Sequence, residues 1–219
     1  MPGSTPALDS LRTAVAACPA IAILRARDAS RFPVVIDTIV AAGIRAVELT
    51  FTTDGVVEAI AEYARRKPDG VALGAGTVLS AEDARRAVDA GATYLISPTV
   101  CLDVISEGNR LGIPVLPGAL SPTEVLTAHR AGAAMVKVFP ATQVGGPGYL
   151  KAVRGPLPGI DLVPTGGVAI DAVPDYLAAG ATAVGVGSPL QGDAADPDGD
   201  LAALTRRADA LVQAAGSRG

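Results

Sequence analysis

Apolar positions gather into eight runs along the chain: Ala20–Ala26, Ala46–Thr52, Ala72–Val78, Tyr94–Val100, Pro114–Leu120, Met135–Ala141, Asp161–Gly167 and Ala183–Pro189. The runs are rich in Val, Ile and Leu and do not alternate cleanly with polar residues, the pattern of parallel strands buried on both faces. Their starts recur about every 20 to 26 residues, the length of one strand and one helix joined by short loops. A glycine, usually after Ala, stands shortly before an apolar stretch at Gly43, Gly91, Gly112, Gly132 and Gly180. Glycine suits the left-handed residue that ends a helix, so these positions mark helix-to-strand junctions.

The segments between the runs carry helix-start chemistry. Ser80 and Ser121 each precede an acid by three residues, Asp83 and Glu124, and Pro122 takes a first helical position. Asp54 is expected to cap the helix after the second run. An extra N-terminal helix over about Ala7–Ala17, in an extension spanning residues 1–19, covers the bottom of the sheet; Gly199–Ala215 reads as the last helix. Gln191–Asp200, rich in Asp, Ala and Pro, reads as a mobile loop. Eight strand–helix units without a linker predict one α/β domain over residues 1–219, a single (β/α)₈ TIM barrel.

Composition agrees with that class. Of 219 residues, 49% are apolar but only 3% aromatic, which suits helices packed closely on a parallel sheet. The net charge of −4 supplies no basic stripe for nucleic acid or an anionic membrane, and neither is an expected partner. Cys18 and Cys101 have neither metal-ligand nor redox spacing and read as small buried residues in a reducing compartment. No apolar run approaches a membrane span, and the start MPGSTPALDS lacks a signal core, so the expected location is the cytoplasm.

In such barrels the site forms at the C-terminal ends of the strands. That rule selects Arg25, Glu48, Thr52, Thr77, Ser97, Lys137, Thr165, Gly166, Gly167, Gly187 and Ser188. Of three lysines, Lys67 and Lys151 occupy ordinary solvated positions, whereas Lys137 lies inside Met-Val-Lys-Val-Phe. A desolvated strand amine keeps a larger neutral, nucleophilic fraction; the alternative is a structural ion pair. Glu48, in Ala-Val-Glu-Leu-Thr, is a proton shuttle or half of a structural pair with an arginine. Pro164-Thr-Gly-Gly-Val168 and Gly185-Val-Gly-Ser188 offer backbone amides and a hydroxyl to a phosphate at consecutive loops. Gly74-Ala-Gly76-Thr77 lacks the third glycine of a dinucleotide fingerprint. His129 is the only histidine, near a helix end, so neither a histidine metal site nor a Ser-His triad can be assembled. The covalent amine route is left, with no metal and no cofactor.

These residues bring in a resemblance. Ile-Leu-Arg-Ala (23–26), Val-Glu-Leu-Thr (47–50), Gly-Ala-Gly-Thr-Val (74–78), Ile-Ser-Pro (96–98), Pro-Gly-Ala-Leu-Ser-Pro-Thr-Glu (117–124), Val-Lys-Val-Phe-Pro-Ala (136–141), Val-Pro-Thr-Gly-Gly-Val (163–168) and Val-Gly-Val-Gly-Ser (184–188) follow one another in family order. The chain thus resembles the 2-keto-3-deoxy-6-phosphogluconate (KDPG) aldolases, also described as 4-hydroxy-2-oxoglutarate aldolases. The resemblance implies that Lys137 forms the Schiff base, Glu48 is the general acid/base and Thr77 binds the substrate carboxylate. It also implies that Pro98 and Phe139 line the pocket, and that Gly166, Gly167, Gly187 and Ser188, beside Thr165, hold the phosphate.

Some relatives carry an arginine shortly after the glutamate, where this chain has Thr52; Arg25 is expected to take over that grip on the carboxylate. The implied reaction cleaves the gluconate-derived 2-oxo acid phosphate to pyruvate and glyceraldehyde 3-phosphate, or 4-hydroxy-2-oxoglutarate to pyruvate and glyoxylate. The galactonate-derived epimer is an alternative substrate, and a homotrimer the implied assembly. Rival readings are a sugar-phosphate epimerase or synthase on the same barrel, and a trimeric barrel serving only as an assembly unit.

Overall fold

Each of the five junction glycines takes a positive φ, from 70° at Gly112 to 114° at Gly43, so helices end and strands begin where the sequence places them. The computed structural model describes residues 5–216. In chain order its elements are α1 (Pro6–Ala17), β1 (Ala20–Leu24), α2 (Phe32–Ala41), β2 (Ala46–Thr50), α3 (Val56–Ala64), β3 (Ala72–Gly76), α4 (Ala81–Asp89), β4 (Tyr94–Ile96) and α5 (Leu102–Leu111). Then follow β5 (Val115–Leu116), β6 (Gly118–Ala119), α6 (Pro122–Arg130), β7 (Val136–Val138), α7 (Gly146–Arg154), β8 (Leu162–Pro164), α8 (Val173–Ala178), β9 (Val184–Val186), α9 (Ser188–Gln191) and α10 (Leu201–Gly216).

The fold is α/β with parallel sheets: six strands in the order β5-β4-β3-β2-β1-β9 and three in the order β6-β7-β8. The fifth apolar run is divided because Pro117 has no N–H to give a ladder. Backbone bonds pass between the two sheets at both ends. Ala134 N donates to Val115 O and Lys137 N to Pro117 O, both at 3.0 Å, while Thr182 N donates to Leu162 O at 2.9 Å and Thr165 pairs with Gly185.

Two apolar layers sandwich the strands. Outward residues such as Leu73, Leu95 and Leu162 pack with Ile36, Ile39, Ile60 and Leu204 of the helices. Inward residues Ile21, Ala46, Ala72, Tyr94, Leu116, Met135, Val163 and Ala183 form a second cluster, into which α1 inserts Leu11, Ala14 and Val15. The expected N-terminal helix is therefore present over Pro6–Ala17. Ser80 caps α4 and Ser121 with Glu124 forms a complete capping box on α6.

Two local expectations need correction. Gly55, at φ 75°, rather than Asp54, is the N-cap of α3; the Asp54 backbone instead accepts from Ala29 N and donates to Arg27 O. The segment 191–200 is a chain of packed turns, because Ala194 and Ala195 are buried and the Arg31 guanidinium donates to the carbonyls of Pro197 and Gly199. Among the described residues, no helix is long and apolar enough to cross a membrane.

Candidate active site at the strand ends

Strand alternation aims two charges at one interior. Val47 and Leu49 flank Glu48 and belong to the outer layer, as do Val136 and Val138 around Lys137, so both charged side chains point inward. Glu48 is 1% exposed and Lys137 7%. Space for the carboxylate comes from Gly76 on β3: a Cβ there would lie 1.7 Å from Glu48 Oε1. Neither Glu48 oxygen has a hydrogen-bond partner among the described residues. Burial pushes its carboxyl up from the ordinary range, and the charges of Lys137 and then Arg25 pull it back. The Lys137 ammonium stands 5.1 Å from the centre of the Phe139 ring, a cation–π distance.

Arg25 follows β1 with its side chain exposed and its guanidinium donates to Thr77 Oγ1 at 3.3 Å. Its backbone is clamped by buried Gln191, which accepts from Arg25 N at 2.9 Å and donates to Arg25 O at 2.8 Å. Thr77 itself holds φ at 57°, a left-handed conformation that a β-branched residue adopts only under constraint. Thr52 pairs with the Thr50 hydroxyl at 3.3 Å and brings no charge.

Beyond β7 and β8 the loops meet. Gly166 and Gly167 have φ of 97° and 72°, and a Cβ on Gly166 would come within 3.0 Å of Phe139 Cδ2 and 3.1 Å of Pro140 Cα. Thr165 is buried, while Phe139 is 36% exposed. Gly187 precedes α9, whose first residue, Ser188, is exposed. Pro98 lies past β4 with its carbonyl over Gly118, where a Cβ would approach to 2.2 Å. Ser97 is buried and spends its hydroxyl on Thr99 O at 2.6 Å.

Glu48, Lys137, Arg25 and Thr77 are thus brought together by contact or charge, and Phe139 joins Lys137 to the Gly166 turn. Residue-by-residue reading missed Gln191, assigned to a loop, and Tyr94, whose ring rests on Gly74; the signal for Tyr94 was a hydroxyl in an otherwise apolar strand. A groove of about 770 Å³ lies elsewhere, between α10 and the 169–171 turn. It contains none of these residues, so groove size does not choose the site here.

A family model described as "KDPG and KHG aldolase" matches residues 11–207. The 2-dehydro-3-deoxy-phosphogluconate aldolase of Pseudoalteromonas atlantica is 34% identical over 197 residues, 90% of this chain and 91% of that protein. The probable 2-dehydro-3-deoxy-6-phosphogalactonate aldolase of Rhizobium meliloti is 35% identical over 173 residues, covering 78% and 81%. Among solved structures, native KDPGal superposes with TM-score 0.84 at 28% identity, covering 98% of this chain and 97% of that one. The KDPG aldolase of Legionella pneumophila, with pyruvate captured as a covalent carbinolamine, gives TM-score 0.83 at 28% identity, covering 93% and 97%. A cube-shaped cage designed by fusing symmetric oligomeric domains gives 0.83 at 30% identity, covering 90% of this chain and 72% of that one.

Proposed function

The chain belongs to the KDPG and KHG aldolase family, and we propose from that premise that it is a class I aldolase whose electrophile trap is Lys137 and whose proton shuttle is Glu48. The observation that carries this reading is the burial of one amine and one carboxylate on the same inward face, with the carboxylate lacking a structural partner. A structural pair would satisfy those oxygens with hydrogen bonds.

The strands close into one eight-stranded barrel, β5 and β6 being a single strand interrupted at Pro117. Hydrogen bonds at both ends of the two sheets and the inner cluster drawn from all eight runs support closure. Closure sets Lys137 across the interior from Glu48.

In the reaction, the unprotonated amine of Lys137 adds to the substrate C2 carbonyl. Glu48 gives a proton to the departing hydroxyl as the carbinolamine loses water. The iminium then draws electrons: Glu48 takes the C4 hydroxyl proton, the C3–C4 pair moves toward nitrogen, and the aldehyde leaves. Glu48 returns its proton to C3 of the enamine, and hydrolysis frees pyruvate and Lys137. Arg25 and Thr77 grip the substrate carboxylate, Phe139 and Pro98 line the pocket, and Thr165, Gly166, Gly167, Gly187 and Ser188 hold the phosphate.

The substrate is the gluconate-derived 2-oxo acid phosphate, giving glyceraldehyde 3-phosphate. Because the gluconate- and galactonate-type relatives are equally similar, at 34% and 35%, comparing kcat/KM on both epimers and on 4-hydroxy-2-oxoglutarate decides among them. The working assembly is a homotrimer in the cytoplasm. Borohydride reduction in the presence of pyruvate, followed by mass spectrometry, is expected to place a pyruvyl adduct on Lys137. Absence of the adduct, or its persistence in Lys137→Ala, overturns the mechanism and leaves the epimerase, synthase or assembly-unit readings.

A further inference from the structure

Past Ala72, the inner face of strand β3 carries only Gly74 and Gly76, and that bareness leaves room for a polar side chain from the strand on either side. Glu48, Gly74 and Tyr94 are register partners across β2, β3 and β4. The Tyr94 ring crosses Gly74, where a Cβ would lie 2.3 Å from its Cζ; the Glu48 carboxylate leans over Gly76, where a Cβ would lie 1.7 Å from Oε1. Gly74 and Gly76 are two residues apart on one face, ~7 Å along the strand. The Tyr94 ring and the Glu48 carboxylate thus reach over neighbouring glycines of the one strand that lies between them.

Both are orphans. Tyr94 is fully buried, and neither its hydroxyl nor either Glu48 oxygen has a hydrogen-bond partner among the described residues. Buried polar groups in native proteins rarely go unsatisfied, and the Glu48 charge acts on this phenol. Burial pushes the Tyr94 hydroxyl well above its ordinary range, with the Glu48 charge adding to the effect. Tyr94 thus stays a protonated donor wherever Glu48 titrates.

We propose that Tyr94 is a positioning residue for the acid/base, its hydroxyl linked to ionised Glu48 through one buried water and so setting the carboxylate's proton affinity and orientation. This rests on the assignment of Glu48 as proton shuttle for its catalytic meaning, although not for its physical content. The charged groups facing Glu48 are Lys137 on β7 and Arg25 after β1; β3 contributes only glycine beside it. Tyr94 is the neutral donor of the set, present whether Lys137 is a free ammonium or a Schiff base. It would hold Glu48 ionised at the step where the Lys137 charge has been consumed and the C4 proton must be taken.

The test is Tyr94→Phe, read by ¹³C NMR titration of the Glu48 carboxyl, its signal identified by its loss in Glu48→Gln. Removing one hydrogen bond to a charged acceptor is expected to move that titration upward by about one pH unit, a tenfold change in proton affinity. The acidic limb of kcat should follow it. A titration that stays put in a folded Tyr94→Phe protein overturns the proposal. If that variant does not fold, 3-fluorotyrosine at position 94 serves instead. Its more acidic phenol should move the Glu48 titration down, and no movement is equally fatal. Should Glu48→Gln keep full aldol activity, the shuttle assignment fails while the titration still decides the Tyr94 bond.

Discussion

Lys137 and Glu48 stand out because a charge inside an apolar strand has to be accounted for, and both turn out buried on one inward face. Their setting is less obvious. Gly74 and Gly76 look in sequence like an incomplete dinucleotide fingerprint, yet their use here is to leave room for Tyr94 and Glu48. Gly76→Ala is therefore expected to displace the carboxylate and lower kcat by about 10²-fold, the usual result of misplacing a reacting group by about 1 Å. Steady-state kinetics beside a thermal melt would check it, since unchanged kcat in a folded variant contradicts the assigned crowding. The Arg25 guanidinium donates to Thr77, and the proposed carboxylate clamp takes its charge from Arg25 because Thr52 has none. Arg25→Ala is expected to reduce pyruvate-forming kcat/KM by about 10- to 100-fold, the worth of ~1.5–3 kcal/mol for one charged hydrogen bond. An unchanged kcat/KM removes Arg25 from the carboxylate clamp.

Helix starts follow local rules closely where the cap is a side chain. Ser121 accepts from Glu124 N at 3.3 Å, and Glu124 Oε2 accepts from Ser121 N and Leu120 N. Ser121→Ala should cost about 1 kcal/mol in urea unfolding at neutral pH. The Glu124 carboxyl is held below its ordinary value, chiefly by the Ser121 and Leu120 amides. A depressed folded-state value means its stabilisation is present above the unfolded carboxylate range, near pH ~4.3, and is lost as pH falls below it. The wild-type advantage over Glu124→Gln should accordingly shrink in unfolding measurements taken between pH 7 and pH 3. At Gly55 a left-handed backbone starts α3 instead of the Asp54 side chain, a choice made by the loop pairing of Asp28 with Asp54, which local spacing does not encode.

Packing of α1 ties its residues to strands spread along the chain. Leu11 is fully buried in the inner cluster with residues running from Ile21 to Ala183. Leu11→Ala should lower stability by about 2–5 kcal/mol, seen as a drop in Tm; a loss under 1 kcal/mol would mean that the inner cluster collapses around the gap. Sedimentation equilibrium, with the mass of three chains expected, tests the assembly.

The alternation of strands and helices, the glycine junctions, the serine caps and the two inward charges were legible from the linear chain, because each depends on neighbours within one turn or one pleat. Other features depend on contacts between positions far apart in sequence. Pro117 divides a strand only in the sense that it has a ladder to interrupt, and Gln191 meets the end of β1 only because it grips the Arg25 backbone, 166 residues away. Tyr94 and Glu48 come to flank the same glycine only because β2, β3 and β4 pair in that register. Periodicity assigns a residue to a face, whereas register and closure decide which residues meet there.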